Sequence, residues 1–190
     1  DVVQLLLDHS GPNIELNART NNDQLTAFMY ACLKGHKDVV QLLLDHSGPN
    51  IELNAKDAFL RRTAFMISCE SGHKDIVKLL LDHSDLNIDL NARSRGEMTA
   101  FMWACLRGQK DVVQLLLGYS DRIELNAKDD NGTNAFMFAC KNGHKDVVKL
   151  LLNHSDKPIE LNARDKDGRT ALDWALFLGY DDIVQLFPEH

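Results

Sequence analysis

The residues Asp1–Ala18, DVVQLLLDHSGPNIELNA, recur letter for letter at Asp38–Ala55. Looser copies start at Asp75 (DIVKLLLDHSDLNIDLNA), Asp111 (DVVQLLLGYSDRIELNA) and Asp146 (DVVKLLLNHSDKPIELNA), and a truncated one, DIVQLF, starts at Asp182. Self-similarity at a nearly fixed period specifies an array of units that each pack on their neighbours. The 190 residues therefore read as one elongated array, where an unrepeated chain of this length would read as one or two globular domains.

One unit, Thr26–Arg62, shows how the copies are built: TAFMYACLKGHKDVVQLLLDHSGPNIELNAKDAFLRR. Thr26 heads it, and Thr63, Thr99, Asn134 and Thr170 hold the same place; each carries a side-chain oxygen suited to capping a helix. Phe28, Ala31 and Cys32 then line one apolar face of a short helix. Gly35, repeated as Gly72, Gly108, Gly143 and Gly179, is placed to end that helix in the left-handed region. A second helix begins near Asp38, whose charge suits a helix N-terminus. Its run Val39, Val40, Leu42, Leu43, Leu44 leaves only a narrow polar stripe, so it needs partners on both sides; Leu115 of a later copy is likewise expected in the core. The polar stretch beyond IELNA reads as a turn or hairpin tip, notably DDNG (Asp129–Gly132) and DKDG (Asp165–Gly168).

The order of cap, short helix, glycine, longer helix, loop and hairpin resembles the ankyrin repeat. TAFMYACLKGHKDVVQLLL and LNA match its threonine-headed first helix, glycine-led turn, V-V-x-L-L-L helix and N-A before a turn. The resemblance implies an all-α ankyrin-repeat solenoid of stacked helix–turn–helix units, with β-hairpin or loop fingers and no continuous sheet. It divides the single array 1–190 into a partial repeat 1–25, full repeats 26–62, 63–98, 99–133 and 134–169, and a C-terminal capping repeat 170–190. The family unit is about 33 residues, whereas the caps here are 37, 36, 35 and 36 residues apart, with the excess after the second helix. The family's His is replaced by Met29, Met66, Met102 and Met137, then Asp173, so methionine packing is expected in place of its Thr–His network. The opening unit lacks a first helix, so an otherwise monomeric chain is expected to self-associate, if at all, through its uncapped N-terminal end.

Net charge is −7, which argues against nucleic acid as the main partner. No apolar run reaches the length that inserts into a bilayer, and DVVQLLL lacks the basic flank and cleavage site of a signal peptide. Cys32, Cys69, Cys105 and Cys140 occupy one place in four stacked units, too far apart for disulfides. Buried, reduced thiols fit an intracellular protein, cytoplasmic or nuclear; on that reading the sequons at Asn131 and Asn153 are coincidental.

Cys32/His36, Cys69/His73 and Cys140/His144 have the spacing of a metal pair or thiol–imidazole dyad. A glycine interrupts each pair and the third copy has Gln109, so no catalytic, cofactor or metal residue is assigned. His9, His46, His83 and His154, with Tyr119 in the fourth place, read as a structural loop position; a histidine column sensing pH is the alternative.

What varies on the constant framework is the functional clue. The fifth residue of each unit is Tyr30, Ile67, Trp103, Phe138 or Trp174, followed on the same helix face by Leu33/Lys34, Glu70/Ser71, Leu106/Arg107 and Lys141/Asn142. The tips vary too, supplying Phe59, Leu60, Arg95 and Asn131. In ankyrin repeats the first helices and hairpins line a concave groove that grips proteins. The resemblance therefore implies a non-catalytic module binding another protein or peptide, with Trp103 at the centre of its stripe. The alternatives are a spacer, an engineered or duplicated scaffold without a natural partner, or the targeting part of a larger enzyme. The resemblance also implies possible hydroxylation of the pre-hairpin asparagines Asn17, Asn54, Asn91, Asn126 and Asn162 by the oxygen-sensing asparaginyl hydroxylase.

Overall fold

The computed structural model describes residues 4, 15–47, 51–83, 87–154 and 158–187, with residues 46 and 47 described by backbone alone. Val2, Val3, Leu5, Leu6 and Leu7, the expected self-association surface, lie outside the described residues, as do His9 and the side chain of His46.

Among the described residues ten helices form five pairs. They are α1 (Ala27–Lys34) with α2 (Lys37–Ser47), α3 (Ala64–Ser71) with α4 (Lys74–Asp82), α5 (Ala100–Leu106) with α6 (Lys110–Leu117), α7 (Ala135–Lys141) with α8 (Lys145–Leu152), and α9 (Ala171–Leu178) with α10 (Asp181–Val184). First helices pack on first helices and second on second, giving two helical layers along one stack. No strand forms among the described residues; isolated antiparallel bridges pair Arg19 with Thr26 and Lys128 with Asn134. This is the all-α solenoid that the repeat pattern implies.

The expected caps define the first helices. Thr26, Thr63, Thr99 and Asn134 accept from the backbone N–H of Met29, Met66, Met102 and Met137 at 2.9–3.3 Å. Thr170 accepts from the Asp173 N–H, while Asp173 accepts from both the N–H and the hydroxyl of Thr170. These bonds hold the Asp173 carboxyl below the usual carboxylate range. The methionines are buried, as are the phenylalanines Phe28, Phe65, Phe101 and Phe136 and all four cysteines. Thioethers and thiols thus fill the layer between units.

The second helices are more one-sided than their sequence suggests. Ile76, Val77, Leu80 and Leu81 of α4 are buried, as are Val112, Val113, Leu116 and Leu117 of α6. Leu79, Leu115 and Leu150 are only partly buried. Leu115 is therefore not a core residue: the pattern i, i+1, i+4, i+5 faces the stack, and Leu115 falls at its flank. At the C-terminal unit, Leu176 holds the place of the buried cysteines yet is 56% exposed, with Phe177 at 71% and Leu178 at 40%. The expected capping repeat thus has an apolar outer face, because no further helix pair among the described residues covers it.

Leu116→Ala should cost about 2–5 kcal/mol by opening a cavity between α6 and its neighbours, and Leu115→Ala distinctly less. Midpoints of urea denaturation for the two variants check the order.

Candidate functional site

The fingers are built from one recurring device. The residue two places after each LNA alanine closes the tip through a backbone bond: Thr20, Asp57, Ser94, Asp129 and Asp165 donate their N–H to the carbonyls of Leu25, Arg62, Met98, Thr133 and Arg169, each at 3.0 Å. Three of their carboxylates also accept from backbone N–H groups of the same tip: Asp57 from Leu60 and Arg62, Asp129 from Asn131 and Thr133, Asp165 from Asp167 and Arg169. The position two before each cap has positive φ. Gly132 and Gly168 fill it without strain, but Gln24 (φ 55°), Arg61 (55°) and Glu97 (62°) fill it in the other units. Successive fingers join: Ala58 N–H donates to Asp23, Arg95 to Leu60, Asp130 to Gly96 and Lys166 to Asn131, all carbonyls of the preceding unit. The fingers therefore stand as a comb in fixed register.

A second set of bonds locks the junctions below the fingers. The side-chain carbonyls of Asn17, Asn54, Asn91 and Asn126 accept from the N–H of Glu52, Asp89, Glu124 and Glu160 in the next unit, each at 2.9 Å. The same amides of Asn54, Asn91 and Asn126 donate to the carbonyls of Asn87, Arg122 and Pro158 at 2.7–2.9 Å. Lys56 Nζ donates to the Arg93 carbonyl, and Arg93 donates to the Lys128 carbonyl and pairs with Glu124. The candidate hydroxylation positions Asn54, Asn91 and Asn126 are thus junction residues whose amides are engaged on both sides. Asn162 forms no such bond among the described residues.

The histidine after the helix-ending glycine is the third junction element. The Nε2 of His73 lies 3.1 Å from the Leu33 carbonyl and that of His144 lies 2.8 Å from the Leu106 carbonyl. Gln109 makes the same reach, donating to the Glu70 carbonyl at 2.9 Å. Each covers the end of the preceding first helix, and Gly35 is required beneath His73: its φ is 75°, and a Cβ there would sit 2.7 Å from the ring. The Cys/His spacing is therefore packing between units. No cluster of three metal-ligating side chains occurs among the described residues. Burial pushes the Cys32 and Cys140 thiols up to about 12, and Cys69 and Cys105 upward as well, so these are not nucleophiles. In the loop position, Tyr119 donates its hydroxyl to Asp82, and His154 Nε2 is buried with no hydrogen-bond partner among the described residues.

Against this frame the variable residues divide sharply. Ile67 is 1% exposed and Trp103 6%, and the Trp103 indole N–H donates to Ser94 Oγ at 3.2 Å. The middle of the stripe is therefore buried, with Trp103 bracing its own finger, which takes both side chains out of the accessible surface of the free chain. Tyr30 is 47% exposed, with Lys34 Nζ 5.5 Å from its ring centre. Phe59 is 60% exposed at its tip, while its neighbour Leu60 packs against the core. Leu33, Leu106 and Phe138 are partly buried against the core; Arg95, Asn131 and Asn142 are exposed, and Ser71 is half-buried. Glu70 receives Arg62 from its own finger and Arg107 from the next first helix, the latter at 2.7 Å. Lys141 Nζ stacks 4.0 Å from the Trp174 ring centre, with the Arg169 guanidinium 4.7 Å away. Three residues of this surface were not singled out from sequence: Arg61, and Arg62 and Arg169, the last two holding the same place just before their caps. That shared place was the signal that could have found them.

A stack of helix pairs with fingers on its first-helix side and no assembled catalytic group among the described residues defines a helical repeat array. The family model for ankyrin repeats matches in three copies, over residues 1–57, 50–129 and 122–190. The chain belongs to the ankyrin repeat family. Ankyrin repeats are in general protein–protein interaction modules and in general not catalytic. A search of the curated proteins found no match. No helix among the described residues is long and apolar enough to cross a membrane.

Asn91→Ala should cost about 1–3 kcal/mol, because it removes two hydrogen bonds at once, from the Glu124 N–H and to the Arg122 carbonyl. Chemical denaturation checks it. Asn162→Ala, whose amide forms no such bond among the described residues, should change the midpoint little.

Proposed function

We propose that this array is a non-catalytic binding module that takes a partner protein or peptide across its fingers and first helices, and that it works inside the cell. The observation that carries the reading is Phe59. It stands 60% exposed on a tip already fixed by Asp57 and Arg62, so folding gives it no task. Tyr30 with Lys34 at one end and Trp174 with Lys141 and Arg169 at the other extend the same variable face. Aromatic and arginine anchors of this kind dominate protein interfaces. A passive spacer has no use for an exposed aromatic beside a left-handed arginine, whose conformation costs roughly 1–2 kcal/mol over glycine. Modification of the pre-hairpin asparagines Asn17, Asn54, Asn91, Asn126 and Asn162 is part of the same proposal, and among the described residues Asn162 is the one whose amide forms no junction bond.

The test is selection of ligands from a displayed random-peptide library against the array, followed by titration with variants. Phe59→Ala should weaken binding by about tenfold or more while leaving thermal stability unchanged. Affinity unchanged by both Phe59→Ala and Tyr30→Ala overturns the reading.

A further inference from the structure

Charge is segregated along the stack. The finger and first-helix segments, residues 19–34, 56–71, 93–107, 128–141 and 164–178, hold thirteen Lys and Arg against nine Asp and Glu. The rest of the chain holds eight against nineteen. A protein of net charge −7 thus turns a net positive face toward whatever meets its fingers.

The acids on that face are mostly engaged within it. Asp57 is buried against Arg62, and Glu70 holds both Arg62 and Arg107. Asp23 accepts from the Thr20 hydroxyl, Asp129 and Asp165 accept from their own fingers, and Asp173 caps α9. Glu97, Asp130, Asp167 and the capping Asp173 remain exposed, and Asp167 lies 3.9 Å from Arg169. Many of the bases are engaged too, Arg19 with Glu52, Arg93 with Glu124, Arg62 and Arg107 with Glu70, and Lys56 with the Arg93 carbonyl, but others are not. Arg61 and Arg95 are exposed and form no ion pair among the described residues. Lys34 and Lys141 rest on aromatic rings, a geometry that leaves their charge available to an incoming anion. The left-handed backbone at Arg61 is a second, independent sign: the finger tolerates strain at a place where Gly132 and Gly168 avoid it, and the side chain so carried is a base beside Phe59.

We infer that the partner of the face proposed above is an acidic protein segment, with Asp and Glu interspersed among apolar residues. Its carboxylates meet Lys34, Arg61 and Arg95, and its apolar residues meet Tyr30 and Phe59. A nucleic acid strand fits less well, because its unbroken phosphates would run past Glu97, Asp130 and Asp167 beneath a chain that is acidic as a whole. The inference rests on the groove reading and adds to it the chemistry of the partner.

The experiment uses the full chain and the random-peptide library already described, with a single-stranded DNA 20-mer as competitor. Two triple variants carry the same net charge: Lys34→Glu/Arg61→Glu/Arg95→Glu on the fingers and first helices, and Lys37→Glu/Lys74→Glu/Lys110→Glu at the starts of the second helices. Glu97 already occupies the left-handed position, so Arg61→Glu introduces no new kind of strain. Enriched peptides should be acidic. The finger triple should weaken them by about tenfold or more, the second-helix triple by less than about twofold, and added salt should slow their association. Neutral or basic peptides that still depend on Phe59 overturn the acidic partner while leaving the groove standing. Peptides indifferent to Phe59, Tyr30 and both triples overturn the groove itself. Tighter binding of the DNA overturns the proposal in favour of nucleic acid, and an empty selection overturns it as well.

Discussion

Everything in this molecule depends on register between neighbouring units. A pair of helices of eight or nine residues, such as α3 with α4, cannot bury Phe65, Met66, Cys69, Ile76 and Leu80 by itself. Each pair is completed by the next, and apolar contact alone would let them slide. The polar junction fixes the slide. The ELNA segment places one asparagine where its amide bridges two backbone groups of the following unit, while the following basic residue, Arg19, Lys56 or Arg93, reaches a carbonyl one finger on. His73, Gln109 and His144 repeat the logic at the other end of the first helix. Copying Asp1–Ala18 almost without change is what such a junction demands, because both partners in each bond come from the same short string.

Register in turn makes the proposed binding face. Fingers joined backbone to backbone set Phe59, Arg61 and Arg95 in a fixed comb, so a partner would meet a surface ordered in advance. The framework residues are engaged in junctions, which leaves the tips and the outer positions of the first helices free to vary. The bridge from Arg62 through Glu70 to Arg107 crosses from one unit to the next on this face, and it keeps a carboxylate there without exposing it.

Much of this was legible in the sequence. The period gave the array, the Thr and Asn residues the helix starts, and the glycines the helix ends, because each depends only on local backbone needs. What was not legible depends on the neighbouring unit. Leu115 reads as core from its own helix, yet the next second helix leaves it at the flank. Trp103 and Ile67 share a helical face with Tyr30, but their surroundings close over the two middle side chains, Trp103 beneath Ser94 of its finger, and leave Tyr30 47% exposed. The Cys/His spacing resembled a site until His73 was found to reach back to Leu33. The bridging role of the Asn91 amide between two units was likewise not legible, because both of its partners lie in the next copy. Periodicity reports which face a residue occupies and is silent on what covers that face.

The claim that polar junctions hold the stack in register is tested most directly by native-state hydrogen exchange at the amides of Glu52, Asp89, Glu124 and Glu160. These groups lie in exposed, non-helical segments, and their acceptors are the asparagine side chains of the preceding unit. The account predicts protection of the Glu124 amide comparable to that of the neighbouring helices, lost selectively in Asn91→Ala. Exchange as fast as in an unstructured loop, in the unsubstituted protein, would contradict it.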